Sequence, residues 1–89
     1  MRAVISVIGK DRVGIIAGVT KILAEDNVNI LDISQTIMQE IFTMVMLVDI
    51  SQARVPFTGL SEALKDLGVD MGLSIQIQHE DIFNSMHRI

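Results

Sequence analysis

Apolar and polar positions along this chain switch between a period of two and a period near 3.6, and each switch marks an element. Arg2–Ile8 is short, rich in β-branched residues and closed by Gly9, which reads as a first strand. From Gly14 the period turns helical: Ile15, Val19, Ile22 and Leu23 recur at spacings of three and four, with Ile16 and Ala17 widening the stripe. Asp26-Asn27 ends this helix, because Asn tolerates the left-handed conformation in which many helices stop. Asn29–Met38 alternates again, with Leu31, Ile33 and Ile37 to one side and Asp32, Ser34 and Thr36 to the other. A turn at Gln39-Glu40-Ile41 leads into Phe42–Ile50, which is apolar on both faces, so the second and third strands form a hairpin.

Ser51–Val55 is a connection, and Pro56 suits the first turn of a second helix, in which Leu60, Ala63, Leu64 and Leu67 share one face. Gly68 is the expected cap of that helix. Val69–Gln78 then alternates as a fourth strand, with Val69, Met71, Leu73, Ile75 and Ile77 inward and Asp70, Gly72, Ser74, Gln76 and Gln78 outward. The closing stretch is helical again, with Ile82, Phe83, Met86 and Ile89 on one side. The order is βαββαβ over residues 1–79 plus a C-terminal helix over 80–89, one domain in all. Strands one and three, apolar on both faces, belong in the middle of the sheet, and two and four at its edges. The expected fold is therefore α+β: a ferredoxin-like plait with an antiparallel sheet in the order 4-1-3-2 and both helices on one face.

Composition adds a partner. A chain of 89 residues buries only about 60–65% of the surface its unfolded form exposes. Yet 49% of the residues are apolar and the mean hydropathy is +0.47. That surplus points to a homodimer or higher homo-oligomer, formed through a sheet edge or the open sheet face; the second strand carries no Lys or Pro to block edge pairing. No run approaches the roughly 20 apolar residues of a membrane span. The first apolar run, Ala3–Ile8, is too short for a signal peptide, so a cytoplasmic location is expected, with no membrane partner. The net charge is −4 with seven scattered Lys and Arg, and there is no Trp or Tyr and only three Phe. A phosphate-tracking surface or a base-stacking platform has little to be built from, and direct nucleic-acid binding is not expected.

The candidate chemistry lies in the turn "SVIGKDRVGIIAGV", Ser6–Val19. Gly9 and Gly14 give the spacing of a phosphate-binding loop, but Ile15 and Ile16 stand where that motif needs Lys and then Ser or Thr. The dinucleotide pattern fails as well, because residue 11 is Asp. What survives is a helix start whose free N–H groups suit an anion such as a carboxylate. The competing reading is structural: Asp11 caps the helix and Gly14 relieves a steric conflict.

Other plait chemistries fit worse. An acylphosphatase-like anion cradle needs a basic residue inside the first helix, where "GIIAGV" has none. Metal-carrying plaits need C-x-x-C, and the chain has no Cys. RNA-binding plaits need aromatics on the central strands, and only Phe42 qualifies. His79, Glu80, Asp81 and His87 are spaced as the charged ends of a helix rather than as a ligand set. The methionines read as core or subunit interface. No catalytic constellation stands out, and neither an enzyme activity nor a cofactor or metal is expected.

The stretch "GKDRVGIIAGVTKILAEDNVNILDISQT", Gly9–Thr36, resembles the signature half of an ACT domain: G-x-D-x-x-G-I at the first turn, an apolar helix, then an "N-I" entry into strand two. With the tail "EDIFNSMHRI" the chain is similar to small stand-alone ACT proteins related to the glycine-cleavage transcriptional repressor. Asn27 departs mildly, standing where the family often has Gly. The resemblance implies a regulatory protein that binds an amino acid or similar effector between two copies. One wall would be Asp11, Arg12, Val13, Gly14 and Ile15, the other Asn29 and Ile30. With no catalytic domain in these 89 residues, it implies that any regulated enzyme or regulator is a separate protein. The alternative is a ligand-free interaction module, with an anion-cradle hydrolase a distant third.

Overall fold

In the computed structural model, which describes residues 1–86, β1 (Arg2–Lys10) and β3 (Ile41–Asp49) form the centre of a four-stranded antiparallel sheet. β2 (Asn29–Met38) flanks β3 and β4 (Leu73–His79) flanks β1, giving β2-β3-β1-β4, the expected 4-1-3-2 order. Helices α1 (Ile15–Glu25) and α2 (Phe57–Met71) pack on one face, and a short α3 (Glu80–Met86) follows β4. The register explains the core. Ile5, Met46 and Ile77 form one row across the three strands, and Val7, Met44 and Ile75 the next. All six are buried under Ile15, Val19 and Leu23 of α1 and Leu60 and Leu64 of α2. Each fully buried side chain of this size is worth about 1.5–3 kcal/mol over leaving it in water.

The helix stop expected at Gly68 comes one turn too early. α2 runs on to Met71, and Gly72, at φ 69 and ψ 34, supplies the left-handed cap. Gly68 lies buried inside the helix. β4 therefore starts at Leu73, and Val69, expected to face inward from a strand, is a helical residue 75% exposed to solvent. Met71 does pack against the core, but from the helix. Apolar residues at 69, 71 and 73 continue the strand's two-residue spacing back across the junction, so alternation alone assigns the helix's last turn to the strand.

A bulge corrects the reading of β2. The register slips between Ile30 and Asp32, so Ile30, Ile33 and Ile37 share the helix-facing side and Leu31 falls out of the alternation. β1 also runs two residues past Ile8, to Lys10, which pairs with Ile41. The hairpin closes through Gln39 and Glu40, with Gln39 at φ 57.

The first helix ends as expected, with Asn27 in the left-handed region at φ 58. Its Nδ2 donates to the Gln52 carbonyl at 3.0 Å, and Arg54 N–H donates to Asp26 at 2.8 Å, tying this end of α1 to the β3–α2 connection. At the other terminus Glu80 accepts from Arg2 through both carboxylate oxygens, and the His79 ring stacks on Phe57 at 4.3 Å. Phe83 is half-buried and Ile82 52% exposed; His87, Arg88 and Ile89 lie outside the described residues.

Candidate functional site

The turn between β1 and α1 is held at both ends. Asp11 N–H donates to the Glu40 carbonyl at 2.7 Å, which fixes the start of the loop to the β2–β3 hairpin. Gly14 takes the N-cap position at φ 94 and ψ 1, a backbone conformation that side-chain-bearing residues rarely adopt. The first helical bond runs from Gly18 N–H to the Gly14 carbonyl at 2.9 Å. The N–H groups of Ile15, Ile16 and Ala17 thus have no partner in the helix, and no side chain caps them. Asp11 does not cap the helix, so the structural explanation for it fails in that form. Gly14 lies at the cap with no Cβ in the way.

Beside this helix start is a cleft of about 230 Å³ lined by Asp11, Arg12, Gly14, Ile15, Ile16, Ala17, Gln35, Ile37 and Phe42. Free N–H groups at one side, a carboxylate and a guanidinium at the mouth, and an apolar wall of Ile37 and Phe42 suit a small zwitterion with an anionic end. Arg12 leans toward the C-terminal end of α2, with Nη1 3.5 Å from the Met71 carbonyl. Val13, placed in the same wall by sequence, is 97% exposed and does not line the cleft. Ile16, Ala17, Gln35, Ile37 and Phe42 are the lining residues that sequence reading missed; the first two simply continue the helix start beyond Ile15. Closing the hairpin across Gln39-Glu40 puts Ile37 opposite Phe42, so the signal was present in the pairing.

Asn29 and Ile30 are elsewhere in the chain. Asn29 pairs with Asp49, which pairs with Arg2, at the end of the sheet where β1 begins; the first loop leaves from Lys10 at the other end. At about 3.3 Å per residue these ends are roughly 26 Å apart. Asn29 lines a different cleft, of about 300 Å³, with Ala24, Asn27, Val28 and Gln52. Within one chain, then, the fold gathers Asp11, Arg12, Gly14 and Ile15 and holds Asn29 and Ile30 apart from them.

Electrostatics are most organised at that distant end. The Ser51 hydroxyl, its N–H at 2.9 Å, and the N-terminal ammonium at 3.6 Å all favour the Asp49 carboxylate and lower its pKa. The hydrogen bond and charge of Glu80 raise the pKa of Arg2.

Residues 2–78 match the family model described as the ACT domain. A UPF0237 protein of Methanocaldococcus jannaschii is 59% identical over 88 residues, covering 99% of this chain and 98% of the relative. Among solved structures, an ACT domain protein from Streptococcus pneumoniae aligns with a TM-score of 0.80 and 43% identity over 93% of both chains. A protein assigned as a glycine cleavage system transcriptional repressor aligns with a TM-score of 0.76 and 27% identity over 86% of this chain and 44% of that one. The plait, its uncapped first turn and these matches lead to one assignment: the chain belongs to the ACT domain family.

Proposed function

We propose that this protein is an amino-acid-responsive regulator, working as a homodimer in the cytoplasm and acting on a separate protein. The coarse part follows from the family, since an ACT domain is a regulatory, small-molecule-binding domain. The observation that carries the rest is the uncapped start of α1 beneath Gly14, facing a cleft walled by Ile37 and Phe42. Three N–H groups there suit an α-carboxylate, and Asp11 is the acceptor nearest at hand for an ammonium group. At about 230 Å³ the cleft is smaller than typical small-molecule sites of roughly 300–1,000 Å³, as half of a shared site would be.

A second copy supplies the missing wall in this reading. β2 is an edge strand, and Leu31, Ile33, Ile37 and Met38 along it are 44–69% exposed. Two β2 strands paired antiparallel about a two-fold axis run in opposite directions. Asn29 and Ile30 of one copy then come to the end of the other where its first loop lies, uniting the two walls. The regulatory step requires the effector to bind one state of the dimer better than the other. No helix among the described residues is long and apolar enough to cross a membrane, which agrees with a cytoplasmic site of action. A thermal-shift screen of the twenty amino acids, paired with native mass spectrometry, tests the reading: one amino acid at millimolar concentration raises the melting temperature of a dimer. No response from any of them leaves the ligand-free interaction module.

A further inference from the structure

β4 closes one side of the sheet, and the edge it turns away from β1 has no described strand on it. Edge strands usually carry a device against pairing, such as a Lys, a Pro or a bulge. β4 has none of these: Leu73–His79 contains neither residue, and its seven pairs with β1 run without a register shift. A groove of about 650 Å³ follows it instead, lined by Leu73–Gln78 and by Ser61, Lys65 and Val69 of α2. Successive strand side chains point to opposite faces, so a groove touched by six consecutive residues tracks the free edge itself. The three α2 residues recur every four positions and form one stripe along the helix. That stripe is about 12 Å long, close to the roughly 16 Å spanned by the strand residues. α3 contacts β1 and β4, but none of its described residues lines the groove.

We propose that this edge docks an extended segment of a partner polypeptide, which adds a fifth strand beside β4 and sets a carboxylate on Lys65. Backbone pairing supplies affinity that is blind to sequence, and the groove supplies the choice of side chain. Lys65 is the charged side chain of the groove; it is exposed and has no ion pair among the described residues. Glu62 and Asp66 are exposed on α2 outside the groove, so a carboxylate is favoured at Lys65 and repelled beyond it, which fixes the register of the added strand. The same charge decides against a second copy. Two β4 edges paired about a two-fold axis bring α2 beside α2, with Lys65, midway along its stripe, facing Lys65 of the other copy. Like charges set opposite each other destabilise a pairing, and a register shift that parts them shortens an already short ladder. The surface lies on the opposite edge from β2 and shares no residue with the cleft at Gly14, so it stands apart from the effector reading.

A displayed library of random peptides of about ten residues, selected on the full chain, supplies the probe. The selected peptides are then measured by fluorescence anisotropy and amide hydrogen exchange on wild type and on Lys65→Glu, with circular dichroism confirming that the variant is folded. The expected result is a shared acidic residue among the peptides, slower exchange of the β4 amides when they bind, and weaker binding in added salt. Lys65→Glu should cost about tenfold or more and favour peptides whose acid is replaced by Lys. Methylating alternate backbone nitrogens of a selected peptide should abolish binding in one of the two registers. Peptides that protect β2 rather than β4, that bind Lys65→Glu as well as wild type, or that tolerate both methylation registers overturn the inference. So does a library that yields no binder, or a chain whose β4 edges pair with each other. The thermal response to amino acids, read on the same two proteins, is expected to be unchanged by Lys65→Glu. Its presence without peptide binding overturns this docking edge alone; its absence in wild type with peptide binding intact overturns the effector reading alone.

Discussion

Gly68 lies so close beneath β4 that a Cβ on it would stand 2.7 Å from the carbonyl oxygen of Leu73. This contact sets how tightly α2 packs on the sheet, because the obstacle is backbone and cannot rotate away. Gly68→Ala is expected to lower stability by about 1–3 kcal/mol, the usual cost of overpacking a tight site, despite Ala being the better helix former. Urea unfolding measures it. A variant as stable as wild type would mean that α2 is free to lift from β4.

Gly14→Ala tests the first turn. At φ 94 the backbone disfavours any Cβ, although the nearest foreign heavy atom, Met71 Cε, is 4.0 Å away and leaves room. The cost is therefore backbone strain alone, about 1–3 kcal/mol. It should appear with a loss of the amino-acid thermal shift, since the N–H groups of the next three residues would be re-aimed.

Asp49 gives the chain a pH signature. Its pKa is lowered in the folded state, so its contribution is present above the unfolded value and is lost as pH falls through the folded one. Asp49→Asn should be less stable than wild type at neutral pH. The difference should shrink from about pH 4 downward, below the ordinary carboxyl value. Thermal melts from pH 7 to pH 2 check it; a gap that stays constant or widens in acid would refute this role for Asp49.

The Arg2–Glu80 pair joins the first residue of β1 to the first residue of α3. An exposed pair adds little to global stability. Glu80→Gln should leave the unfolding midpoint nearly unchanged while speeding hydrogen exchange of the α3 amides. Unchanged exchange in α3 would show that other contacts hold it.

The layers of the fold were legible in the sequence because periodicity and two-faced burial are local signals. Ile5 and Ile8 on β1, and Met44 and Val45 on β3, mark strands apolar on both sides, and that alone ordered the sheet. Boundaries were less legible where one period flows into the next, as at Val69, Met71 and Leu73. The bulge at Leu31 left no mark either, since shifting one residue in an apolar strand replaces Leu31 with Ile30. At the site, the first wall was readable from Gly14 and the residues around it. The floor was not, because Gln35 and Phe42 reach the cleft through hairpin register, and Asn29 meets the loop only in the proposed dimer, across the second copy.

The most direct test of the shared site is an amide chemical-shift titration of the labelled protein with each amino acid. The account predicts one ligand that shifts Ile15, Ile16 and Ala17 together with Asn29 and Ile30, at one common affinity. Shifts confined to the first loop, with Asn29 and Ile30 unmoved at saturation, would contradict a site built from two copies.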